Sequence, residues 1–422
     1  MDDAVTLAAK KFKSTTWCCY IGCLAQGAIM NFAPIFFIAL RQQFGLSYTQ
    51  LGALITANYV AQVVADLVFG RPVDKFGFRP FVYFSLICMI VGLIMFGTLP
   101  VLFPGNAYVL LLISTVIYSL AVGLGEVLFS PIISAIPSDN PGAAMSTLHS
   151  YFAWGITLTA VIGSLGLFVF GTAHWNYVPF FWAAFAFANL IMFIRSPFPP
   201  NIAESAMMKI KDVITNRIFI LGFFTIFFGA AAELTLVAWL SSFLEKGLGL
   251  NNVIGDLIGL GGFGVSLGVA RIIYGTYGKK INVNDIMIIG GIVAVFCYLV
   301  LGWTDMVWLS IVACCLAGAA TAFMWPGTLT VTSTIIPTAG VLVFGLLAAG
   351  GDFGTAFLGW ATGIFSDFFA AHAPALTASA EQYGLRMGIL VSAIYPLLAF
   401  VFAFLLKRQK KQSLQIAATS NV

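Results

Sequence analysis

The chain has 422 residues, of which 60% are hydrophobic and only 9% charged, with a formal net charge of +4 and a mean hydropathy of +0.99. Such a composition excludes an ordinary water-soluble domain and identifies an integral membrane protein. The small positive excess sits in loops and reports membrane topology, so nucleic acid is not an expected partner.

A helix needs about 20 mostly apolar residues to cross the hydrocarbon core. Twelve such runs occur, at residues 16–40, 48–70, 80–99, 107–136, 143–171, 177–195, 217–244, 253–275, 285–303, 307–336, 339–367 and 383–406. They predict an all-α membrane protein of twelve helices. Span 1 follows Lys10, Lys11 and Lys13 but is too long for a signal peptide and lacks a small-residue cleavage pattern, so it is read as retained. It carries Gln26 and, in GAIMNFAPIF, Asn31 before Pro34. Span 2 carries Asn58, Gln62 and Asp66 and ends in ADLVFGRPVDKFGFRP.

Span 4 contains AVGLGEVLFSPII, in which Glu126 follows Gly123 and Gly125 and precedes Pro131. The glycines allow close helix approach, and the proline interrupts backbone bonding. Span 5 adds His149 and Trp154. The polar, proline-rich stretch 196–216 is the longest internal break and divides six spans from six. It predicts an N-terminal bundle (1–195), a cytoplasmic linker (196–216), a C-terminal bundle (217–406) and a cytoplasmic tail (407–422). Span 7 holds Glu233 and Trp239, span 8 Arg271, span 10 Trp325, and span 11 Asp352 within LLAAGGDFGTAFLGW.

Of the twenty Lys and Arg residues, sixteen fall on one side of this plan and only Arg41, Lys246 and Arg386 on the other. By the positive-inside rule both termini are expected in the cytoplasm, for a multi-pass protein of the cell inner membrane. All seven cysteines lie in spans and form no disulfide or zinc spacing. The three histidines are scattered, and no phosphate-binding glycine loop or nucleophile with its base is found, so no metal, cofactor or enzymatic activity is expected.

The end of span 8, ARIIYGTYGKKINVND, repeats the end of span 2: Ala65 aligns with Ala270, Asp66 with Arg271, Gly70 with Gly275 and Lys75 with Lys280. Parallel six-helix repeats require such a match. Gly70, Asp74, Lys75, Gly77 and Arg79 resemble the G-x-x-x-D-[RK]-x-G-x-[RK] loop between helices 2 and 3 of the major facilitator superfamily. The resemblance implies two pseudo-symmetric six-helix bundles around a central cavity and a functional monomer. It also implies a latch in which the Asp lies at the start of helix 11 and favours the outward-facing state. The alternative is a charged loop that only sets topology. In the second copy Lys279 stands where Asp74 would be, so that latch is degenerate.

Charged groups inside a bilayer are costly and therefore suggest function. Glu126, Glu233 and Asp352 lie near mid-depth, with Asp66 and Arg271 closer to the cytoplasm. Glu126 is either a proton site coupled to solute binding or a structural carboxyl. Asp352 could bind a solute hydroxyl or pair with Arg271, and Asp66 with Arg271 could form a pair near the gate or each pair with loop charges within its own half. Glu126 before Ser130-Pro131, Glu233 within FFGAAAELTLVAW, and Trp325, Pro326 and Thr328 further resemble the fucose/galactose/glucose proton symporter branch. That branch has an Asp in helix 1, where this chain offers Asn31.

Trp154, Trp239 and Trp325 could stack a sugar ring, with Gln26, Asn31, Asn58, Gln62, His149, Glu126, Glu233 and Asp352 as candidate polar ligands, or could simply pack helices. Several carboxylates and amides with almost no mid-membrane cation argue for a neutral polyhydroxylated solute. The preferred expectation is a secondary active transporter taking up a sugar or polyol with protons, through Glu126 and Asp352. The alternatives are a drug or organic-cation exporter of the same fold and a non-transporting receptor or scaffold.

Overall fold

The computed structural model describes residues 10–30, 32–46, 48–200, 208–244, 261–278, 281–374 and 379–420. The described residues are almost wholly helical, and ten helices among them are long and apolar enough to cross a bilayer. Two of the twelve predicted spans explain the difference. Span 1 is broken in its middle, and span 8 begins within residues outside the described set.

In the first part of the chain the helices are α1 (Lys13–Met30), α2 (Phe37–Phe44), α3 (Tyr48–Phe76), α4 (Phe78–Leu102), α5 (Ala107–Ala135), α6 (Pro141–Phe170) and α7 (Tyr177–Ile194). After the short α8 (Ile210–Ile214) follow α9 (Arg217–Ser242), α10 (Gly261–Tyr277), α11 (Val283–Trp303), α12 (Val307–Thr321), α13 (Met324–Ile335), α14 (Leu342–Ala371), α15 (Ala380–Ser392) and α16 (Ile394–Ser420). Predicted spans 10 and 12 are thus each made of two helices.

The chain forms two compact units. Unit 1 gathers the described residues of Met1–Ala144, Tyr151–Met207 and Gly340–Ala349; unit 2 gathers those of Met145–Ser150, Met208–Ala339 and Gly350–Val422. Neither corresponds simply to half of the sequence. A short stretch of α6 belongs to unit 2, and the first turns of α14 belong to unit 1.

In unit 1, α5 is central, packing on α1, α3 and α4, while α7 packs on α1 and α4. An aromatic cluster fills the middle. Phe32 meets Tyr118 edge-on with centroids 5.2 Å apart, and Trp175 donates its indole N–H to Gln43 at 2.7 Å. The break in span 1 follows from Pro34, whose missing N–H leaves the Met30 carbonyl without its helical donor. Asn58 on α3 supplies the bond instead, Nδ2 to Met30 O at 2.9 Å.

Helices α1 and α6 touch through glycine. A Cβ on Gly155 would overlap the Leu24 carbonyl, and one on Gly27 would overlap that of Phe152. Gly155→Ala is therefore expected to push the helices apart and destabilise the protein by at least about 1–3 kcal/mol, the usual cost of overpacking, read as a lower thermal midpoint in detergent.

In unit 2, α9 packs on α13 and α16, α12 on α10 and α11, and α11 on α15 and α16. Buried polar groups are satisfied across helices: Tyr298 Oη donates to the Ala232 carbonyl at 2.7 Å, and Thr362 meets Ser392 at 2.8 Å. Many large apolar residues face outward, among them Phe168, Phe296, Trp303 and Trp308. Such a surface suits hydrocarbon, with tryptophan at its rims.

Candidate functional site

Unit 1 brings three of the predicted site residues together. Gln26 on α1 donates from Nε2 to Glu126 Oε1 at 3.1 Å. Glu126 is half-buried, while Gln26 and Asp66 are buried. Carboxylate oxygens of Asp66 and Glu126 lie within 4.8 Å of one another, so α3 and α5 aim two acids at one place. Gly125 makes room, since a Cβ there would sit 3.0 Å from Gln26 Oε1. Gln62, one turn before Asp66, is buried, and its Oε1 has no hydrogen-bond partner among the described residues.

Asn58 is differently occupied. Besides bonding Met30, it accepts from Ser119 Oγ at 2.6 Å and from Gln62 Nε2 at 3.0 Å through Oδ1. These bonds commit its polar atoms to holding α1, α3 and α5. Asn31 lies outside the described residues, and Trp154 is half-buried on α6. The sequence offers no helix 1 acid as a companion for Glu126; span 1 supplies the Gln26 amide in its stead.

The loop motif is also built within unit 1. Gly77, at φ 86°, ends α3 and opens α4 in a conformation that side chains resist. Asp74 accepts from the backbone N–H of Val341 at 2.7 Å, at the start of α14, and Arg71 lies 3.8 Å from its other oxygen. The carboxylate satisfies a free N–H and meets the positive end of the helix dipole. Gly340 has φ 66°, and a Cβ there would overlap Asp74 Oδ1. Gly70 is also tight, a Cβ there falling 3.1 Å from Leu342 Cα. Lys75 lies over the Phe76 ring and Arg79 over Phe198, its guanidinium 5.4 Å from the centroid. Lys279, at the degenerate second copy, lies outside the described residues. Asp74→Ala is expected to cost about 0.5–2 kcal/mol, as for a lost helix cap, with faster amide exchange at Val341.

Within unit 2 the carboxylate that pairs with Arg271 is that of Glu233, where the sequence offers Asp352. Arg271 Nη2 donates to both oxygens of Glu233, at 3.2 and 3.1 Å, forming a salt bridge with Arg271 only 2% exposed. Nε donates to the Ala322 carbonyl at 2.7 Å and Nη1 to the His149 carbonyl at 3.2 Å. The fork is thus engaged on three sides. Asp352 is 3% exposed, and its Oδ2 has no hydrogen-bond partner among the described residues. Gly351, its neighbour, seats the edge of the Trp325 ring. Trp239 donates its indole N–H to the Gly359 carbonyl at 3.1 Å and packs on Gly363. Its N–H therefore fixes the ring against α14.

Comparison with known proteins bears on the whole arrangement. A search of characterised protein sequences returns no match. Among solved structures, the proton:xylose symporter XylE bound to 6-bromo-6-deoxy-D-glucose superposes with a TM-score of 0.78 at 14% identity, covering 94% of this chain and 96% of that one. A variant of the Escherichia coli fucose:proton symporter FucP gives 0.77 at 14% identity over 93% and 98%. The human organic anion transporter MFSD10 gives 0.68 at 15% over 93% and 99%. At these identities the likeness concerns the fold. The sequence profile of the Major Facilitator Superfamily matches residues 18–359, and with helices, loop motif and fold in agreement, the chain belongs to that superfamily of multi-pass membrane transporters.

Proposed function

We propose that the protein is a proton-coupled importer of a neutral sugar or polyol, with Glu126 as the principal proton carrier. The observation that carries the reading is the group formed by Gln26, Glu126 and Asp66. Two ionised carboxylates with oxygens within 4.8 Å repel by roughly 3–4 kcal/mol at an effective dielectric near 20. A single proton on the pair relieves that repulsion, and a bound solute that changes the surroundings of the pair changes the hold on the proton.

Asp352, with Trp325 beside it, and Trp239 are the proposed solute side, a carboxylate for hydroxyls and aromatic faces for C–H groups. The two sugar symporters among the structural neighbours support the solute class, while the organic anion transporter marks the breadth of chemistry on this fold. The proposal includes the cell inner membrane, both termini in the cytoplasm and a monomer.

The test is uptake by reconstituted protein across a panel of sugars, polyols, organic acids and cations, with and without an inward proton gradient and with a sodium gradient as control. Accumulation of a neutral sugar or polyol driven by protons is expected. Accumulation driven by sodium alone, or export of cations, would sink the reading.

A further inference from the structure

Two helices change unit along their length. In α6, residues Met145–Ser150 belong to unit 2 while Tyr151 onward belongs to unit 1; at the start of α14, Gly340–Ala349 belong to unit 1 while Gly350 onward belongs to unit 2. These helices are the fifth and eleventh spans, equivalent members of the two six-helix repeats. The start of α14 is held by Asp74. The repeated loop in the second half lacks that acid, with Lys279 at the position equivalent to Asp74.

Arg271 bonds the Met145–Ser150 segment of α6 from another position. Its side chain donates to the His149 carbonyl at 3.2 Å, and its own backbone carbonyl accepts from Ser146 Oγ at 3.0 Å. Both partners lie in the short segment of α6 that joins unit 2. The remaining donors fix the guanidinium: they reach Ala322 O at 2.7 Å, between α12 and α13, and the Glu233 carboxylate on α9. A buried cation needs such a counter-charge, because an unpaired one in this setting is strongly disfavoured. Arg271 aligns with Asp66 in the repeat, and the two copies thus place opposite charges at one register.

We infer that Arg271 is a positioning residue that fastens the early turns of α6 in unit 2, as Asp74 fastens those of α14 in unit 1, and that Glu233 serves to hold Arg271 in that role. Release of this fastener is then required whenever α6 changes its partners during alternating access. The inference is independent of solute and coupling ion, so it stands or falls separately from sugar–proton uptake.

Peptide-resolved hydrogen exchange in detergent micelles tests it without a substrate. Removing one charge could unfold the protein, so the main variant is the neutral Arg271→Met/Glu233→Leu double, with Arg271→Lys as the conservative form. In the double variant the amides of Met145–Ser150 are expected to exchange about tenfold faster or more, as for a local opening, while those of Gly340–Ala349 stay as in the parent. Asp74→Ala should give the reverse pattern. Arg271→Lys, which keeps the charge but loses the fork, should show an intermediate rise. Unchanged protection at Met145–Ser150 overturns the inference. A uniform rise across unit 2 also overturns it, because that is the mark of a packing defect.

Discussion

Glu126→Gln should abolish accumulation of solute against its gradient while leaving counterflow of the same solute between two loaded compartments. Glutamine keeps the shape of the side chain and an oxygen to accept from Gln26, whose Nε2 lies 3.1 Å from the carboxylate, but carries no exchangeable charge. An importer that can no longer bind and release a proton with its solute equilibrates the solute instead of concentrating it. The accumulation ratio should fall to about one, a loss of at least tenfold for a carrier driven by an ordinary proton gradient, since each 1.4 kcal/mol of driving force is a factor of ten. Asp66→Asn should weaken accumulation less, because Glu126 keeps its carboxyl group and its Gln26 donor. Concentrative uptake that survives in Glu126→Gln would remove Glu126 from the coupling role.

The second large effect concerns stability. Glu233→Leu leaves the buried Arg271 guanidinium bonded to the Ala322 and His149 carbonyls without its carboxylate, and breaking a buried pair on one side costs about 3–5 kcal/mol. The Arg271→Met/Glu233→Leu double variant removes both charges and should recover most of that loss, because well-packed apolar groups often replace a buried pair at little cost. Unfolding midpoints of the parent, both single variants and the double form the required cycle. Equal destabilisation of single and double variants would mean that the two residues do not act as a unit. The double variant also bears on Glu233 as a solute ligand: a folded double variant that still binds solute as tightly as the parent excludes that role.

Much of the helical plan is legible in the sequence because hydrocarbon imposes it. Runs of about 20 apolar residues and Pro/Gly breaks place α3 through α7 to within several residues, and the loop from Gly70 to Arg79 by itself points to the superfamily. What periodicity does not supply is pairing. Depth and symmetry offer Asp352 or Asp66 as a partner of Arg271, and the structure gives Glu233. Depth along a helix fixes one coordinate, whereas a hydrogen bond needs the rotation of both helices as well.

The same limit applies to Asn58, which reads as a solute ligand from its polarity but is engaged by Met30, Ser119 and Gln62. One signal does foreshadow this: Pro34 lies four residues after Met30, so a donor for that carbonyl has to come from elsewhere. The contact between Gln26 and Glu126 has a fainter trace in Gly125, which leaves the space that the amide occupies.

The break at Pro34 has a mechanical meaning for span 1. In an unbroken helix, bending must stretch backbone hydrogen bonds. Here the carbonyl that bending would expose is already served by a side chain from α3. A tilt of α2 at this joint would leave the Met30 carbonyl bonded, and with it the end of α1 that carries Gln26.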